Sequence, residues 1–89
     1  MTTTTVSFGG VEYTCRIVKD NQGDDLIIGS LVLLDALQPG SWDAPDEGFA
    51  SREASDIFDE IFFFTDEKDL LLSDAKLTGV LRESNPDWF

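Results

Sequence analysis

Apolar residues alternate with polar ones through Val6 and Phe8, and again through Val11, Tyr13 and Cys15, in two short segments separated only by Gly9 and Gly10. A period of two marks a strand with one buried face, and two adjacent glycines can both take the positive φ that a type I′ turn demands. The pattern predicts a hairpin in which Phe8 faces Val11, Val6 faces Tyr13 and Thr4 faces Cys15 on one side of the pleat. Glu12, Thr14 and Arg16 fall on the other side. "KDNQGDD" then reads as a polar turn, and "LIIG", short, β-branched and bounded by glycine, as a third strand. Ser30 is placed to cap a short helix through Leu37, ended by "QPG".

Residues 38–49, "QPGSWDAPDEGF", contain two prolines and two glycines and predict an irregular excursion with Trp42 in its middle. After it the period changes. Ala54, Ile57, Phe58 and Ile61 recur at three- and four-residue spacing, the apolar stripe of a helix capped by Ser51 and running to about Ile61. Glu53, Asp56 and Glu60 form a second stripe on the same segment. Phe62 to Phe64 predict a strand buried on both faces or nearly so, "TDEKD" a turn, and "LLL" its hairpin partner. Ser73 caps a last helix, which Pro86 stops.

The segments starting at Asp25, "DLIIGSLVLLDAL", and at Asp69, "DLLLSDAKLTGVL", align without a gap, matching Leu33 with Leu77 and Leu37 with Leu81. That raises a duplicated ββα unit. With or without duplication the expected class is α+β: an antiparallel sheet of four to five strands with two to three helices packed on one face. The 89 residues suffice for one hydrophobic core, so 1–89 is read as a single small acidic domain.

Charge changes the picture more than composition does. The formal net charge is −12, which repels phosphate backbones and anionic headgroups; neither direct nucleic-acid binding nor a membrane partner is expected. Residues 1–19 hold Glu12 against Arg16 and Lys19, a net of +1, while residues 43–69 hold ten acids against Arg52 and Lys68, a net of −8. A single cysteine permits no disulfide within the chain and fits a reducing, cytoplasmic setting. The opening "MTTTTVSFGG" lacks the basic region and apolar core of a secretion signal, and "LIIGSLVLL" is far short of the roughly 20 residues of a membrane-spanning helix.

The chain contains no histidine, which removes the usual general base, the Ser-His and Cys-His nucleophile pairs and the commonest zinc ligand. Cys15, on the apolar side of its strand, reads as a buried structural thiol. "DNQGDD" lacks the glycine and terminal glutamate positions of a calcium loop. Asp24 with Asp25, and Asp66, Glu67 with Asp69, would hold Mg²⁺ only if folding brought them together, and turn carboxylates are ordinarily just solvated. "FGGVEY" is too short for a phosphate-cradling loop and lacks its lysine. No cofactor, no metal and no enzymatic activity are expected.

What remains is the acid. Glu53, Asp56 and Glu60 repeat roughly every 5 Å along a helix axis, with Asp59 beside them and Asp43, Asp46, Glu47, Asp66, Glu67 and Asp69 flanking in the chain. A carboxylate row at that interval is comparable in pitch to the charges of a nucleic-acid strand. It suits a basic protein surface, such as that of a nuclease or other nucleic-acid-binding protein, reached by fast, salt-sensitive association. In charge and length, and in no motif, the chain resembles the small acidic inhibitors that phages and mobile elements aim at nucleases, the DNA-mimic anti-restriction and anti-CRISPR proteins. The resemblance implies a non-enzymatic inhibitor. Two other uses of the same residues stand beside it: a solvated helix face, and an acidic surface suited to a salt-rich cytoplasm, against which the near-neutral first nineteen residues argue. Trp42, ringed by acids in its loop, is either an interface anchor or a lid on the core. Trp88 and Phe89 are expected to dock against the sheet; exposed, the three aromatics would instead make an adaptor surface. The oligomeric state is left open.

Overall fold

A computed structural model of the protein describes residues 2–39 and 48–89. The chain forms strands β1 (Thr3–Phe8), β2 (Val11–Lys19) and β3 (Asp25–Ser30), helices α1 (Leu31–Leu37) and α2 (Arg52–Glu60), strand β4 (Phe63–Thr65), a 3-10 segment (Glu67–Leu71) and helix α3 (Asp74–Ser84). The hairpin register is the one its alternation predicts, with Thr4 opposite Cys15, Val6 opposite Tyr13 and Phe8 opposite Val11. Gly9 and Gly10 turn the chain at φ +60° and +77°. The second turn is closed by Asp20, whose Oδ1 accepts from the N–H groups of Gln22 and Asp24, each at 2.9 Å, and Gly23 supplies the positive φ of +84°.

Helices α1, α2 and α3 each start where a serine caps them. Ser30, Ser51 and Ser73 accept through Oγ from the N–H of Leu33, Ala54 and Lys76 respectively, filling donors that a helix cannot satisfy itself. The α+β class holds, and among the described residues the sheet has four strands in the order β1-β2-β3-β4. Three details differ from the expectation. First, β4 runs parallel to β3, with Ile28 opposite Phe63 and Ser30 opposite Thr65. A parallel pair needs a crossover, and the chain returns through α1, the segment after it and α2 before Phe62 N–H donates to Ile27 C=O at 2.8 Å.

Second, "LLL" is no strand. The N–H of Asp69 bonds back to Asp66 C=O and that of Leu72 to Asp69 C=O, so the local turn takes the hydrogen bonds that a hairpin would have used. Among the described residues the second half has one strand, so the duplicated ββα unit is not confirmed, although Leu33, Leu37, Leu77 and Leu81 are all buried helix residues. Phe62 to Phe64 lie at a sheet edge, where Phe62 stays 43% exposed, and the doubly buried strand expected there does not form.

Third, the helices cover both faces of the sheet. Alternate strand residues point to opposite sides, and two cores result. Val18, Leu26 and Ile28 pack with Leu70, Leu77 and Leu81 on the α3 side. Cys15 packs with Leu33, Leu37, Ala54 and Ile61 on the side of α1 and α2. Each fully buried leucine contributes about 1.5–3 kcal/mol, whereas the Lys19–Asp25 pair is exposed and screened by water; packing holds these layers together. Gly29 lies opposite Phe64, and a Cβ there would stand 3.1 Å from the Phe64 ring and 3.2 Å from Ile61. The glycine admits the ring and does not end the strand.

Candidate functional site

Helix α2 is oriented by its apolar stripe. Ala54 is fully buried, and Ile57, Phe58 and Ile61 join it in the core on the α1 side. Phe58 stacks on Phe64 at 5.6 Å between ring centroids and meets Phe49 edge-on at 5.1 Å. With that side fixed, Glu53, Asp56, Asp59 and Glu60 are all exposed. Glu53, Asp56 and Glu60 are separated by three and four residues, about 4.5 and 6 Å along the axis, and share one stripe. None of these carboxylates forms an ion pair with a described residue. Glu53 in the first turn is favoured there by the positive end of the helix dipole.

The other expected site residues fall elsewhere. Asp66 and Glu67 are exposed and Asp69 is half-buried, its Oδ2 accepting from Thr65 Oγ1 at 3.0 Å. Their segment is anchored by Leu70 in the core on the α3 side, whereas α2 packs through Ala54 into the core on the other side. Trp42, Asp43, Asp46 and Glu47 lie outside the described residues. Phe89 docks on the sheet as expected, 5.9 Å from Phe63 between ring centroids. Trp88 meets Phe62 edge-on at 4.8 Å, and each of the two remains 43% exposed. Hydrogen bonds tie this segment down: Asn21 N–H donates to Trp88 C=O at 2.8 Å and Arg82 Nε to Phe89 C=O at 3.0 Å.

Two features escaped the sequence pattern. Phe62 belongs to an exposed aromatic pair, and Arg16, on the polar side of β2, has no exposed surface. Its Nη1 donates to the carbonyls of Leu70 (2.8 Å) and Leu72 (2.6 Å), its Nη2 pairs with Asp74, and its Nε is buried without a partner.

Burial pushes the Cys15 thiol above its ordinary pKa, which keeps it protonated and unreactive. A groove of about 710 Å³ lies between β2 and α3, lined by Thr2, Ile17, Lys19, Asp25, Thr78 and Arg82 among others. Its charges are engaged: Lys19 Nζ bonds Asp25 at 2.8 Å, which raises the lysine's pKa, and Arg82 holds Phe89. Among the described residues no three His, Cys, Asp or Glu side chains converge as a metal site, and no helix is long and apolar enough to cross a membrane. No protein-family model, curated protein or solved structure matches this chain.

Proposed function

We propose that the protein is a non-enzymatic, cytoplasmic binding protein whose α2 face occupies a basic, normally nucleic-acid-binding surface of another protein, as a nucleic-acid mimic. An inhibitor of a nuclease, of the anti-restriction or anti-CRISPR kind used in phage anti-defence, fits that chemistry. One observation carries the reading: Glu53, Asp56 and Glu60 stand in an exposed row, with Asp59 beside them, on a helix whose opposite side is locked into the core. A row on a fixed helix costs little backbone ordering on binding, and its charge steers a cationic partner. The absence of histidine supports a role in binding over one in catalysis.

The test is capture from a bacterial lysate at low salt, using the native chain and the Glu53→Lys/Asp56→Lys/Glu60→Lys variant side by side. Proteins retained by the native chain, displaced by competing DNA and lost with the variant support the reading; partners held equally by both sink it. A second reading has its own observation, the half-exposed Phe62–Trp88 pair, which would serve an apolar adaptor contact. In that case capture is insensitive to salt and is lost on Trp88→Ala.

A further inference from the structure

The outer edge of β1 has the chemistry of an interface. Ile17 N–H donates to Thr2 C=O at 3.1 Å, and this sets the parity of the strand: Thr2, Thr4, Val6 and Phe8 direct their backbone groups toward β2. Thr3, Thr5 and Ser7 direct theirs away from the sheet, and their side chains are exposed. Among the described residues no strand pairs with that edge.

Natural sheets protect such edges with charges, prolines, bulges or very short strands. The β4 edge follows that practice, being three residues long and followed at once by Asp66 and Glu67. β1 has none of these devices. It pairs with β2 over six consecutive positions without a bulge, and residues 1–11 are the longest uncharged run in a chain of net charge −12.

From these observations we infer that β1 is a homodimer interface, in which two copies pair antiparallel through their β1 edges about a two-fold axis at Thr5. The edge is self-complementary in that register. Thr5 exchanges both hydrogen bonds with Thr5 of the second copy, and Thr3 and Ser7 exchange theirs with Ser7 and Thr3, so every outward N–H and C=O on Thr3, Thr5 and Ser7 is used. Hydroxyl side chains face one another across the joint on one side of the pleat, and Thr4 faces Val6 on the other. Self-complementarity selects a second copy as the occupant, and charge selects this edge as the place. Two copies of so acidic a chain repel wherever their carboxylates meet, and an uncharged edge is where they can approach. The result is one continuous sheet of eight strands, and α2 takes no part in the joint.

Sedimentation equilibrium of the full chain tests this, over concentrations of about 1–200 µM so that mass action is visible. The native protein is expected at twice the 9.9 kDa chain mass. Thr5→Pro removes an outward N–H that β2 does not use, a substitution edge strands accept, and is expected at the single-chain mass with an unchanged far-UV circular dichroism spectrum. Should Thr5→Pro fail to fold, Thr3→Lys with Ser7→Lys decides, since both side chains are exposed and the pairing would set lysine against lysine. A native chain that sediments as a monomer throughout overturns the inference. So does a dimer that survives the edge variant, because it would then be built on another surface.

Discussion

Burying a guanidinium costs several kcal/mol unless its donors are met, and Arg16 meets that cost with two backbone carbonyls and one carboxylate. The partners lie 54, 56 and 58 residues away along the chain. No local spacing could have announced them: alternation correctly assigned Arg16 to the side of β2 opposite Cys15, but that this side is covered follows only from where residues 67–84 fold. Replacing Arg16 with methionine keeps the stem's packing and strands the Leu70 and Leu72 carbonyls. The lost bonds, at about 1.5–3 kcal/mol each, are partly offset by no longer burying a charge, and a net loss of about 2 kcal/mol is expected in urea unfolding. Asp74→Asn should cost less than about 1 kcal/mol, because the Asp74 side chain is 56% exposed and its share of the pair is screened. Equal losses from the two substitutions would mean that the ion pair, and not the carbonyl bonds, holds the 3-10 segment to the sheet.

Elements whose determinants are local could be read directly. The three serine caps, the two glycine turns and the α2 stripe each depend on residues within one or two turns of chain, and each forms where the pattern put it. The run "LLL" could not be read so, because a short apolar stretch is compatible with a strand or a tight helical turn; the backbone bonds of Asp69 and Leu72, with Arg16 on the carbonyls of Leu70 and Leu72, decide for the turn. The direction of β4 was equally hidden, since it is set by the path of the crossover. The exposed acidic stripe on α2 was legible, whereas the anchoring of the segment holding Asp66, Glu67 and Asp69 to the other core through Leu70 was not. Helix α3 contains its own test of local preference at Gly79, which sits inside the helix with nothing within 4 Å of where a Cβ would stand. Gly79→Ala meets no clash and removes backbone freedom from the unfolded chain, so it should stabilise the protein by about 0.5–1 kcal/mol, read as a higher urea midpoint. A lower midpoint would mean that the closeness of α3 to the sheet depends on that glycine.

At the scale of the whole molecule, the two packed faces must hold together a chain of net charge −12, and self-repulsion among like charges opposes the compact state. Salt should therefore stabilise it. Between about 10 and 150 mM ionic strength the Debye length falls from about 30 to about 8 Å, short enough to uncouple carboxylates on opposite faces of the sheet. A gain of about 1 kcal/mol would appear as a rise of about 4–8 °C in Tm for a domain of this size. The measurement belongs on Thr5→Pro, so that salt-driven association does not enter. Adding the three α2 reversals to that background changes the charge by two units each, from −12 to −6. Repulsion scales with the square of the charge, so the salt-dependent rise should shrink to about a quarter. Equal rises in the two chains would assign the effect to exclusion of salt from the surface and not to charge. A flat response in the −12 chain would mean its carboxylates are already compensated, which would remove the unneutralised field that the proposed docking of α2 on a basic partner requires.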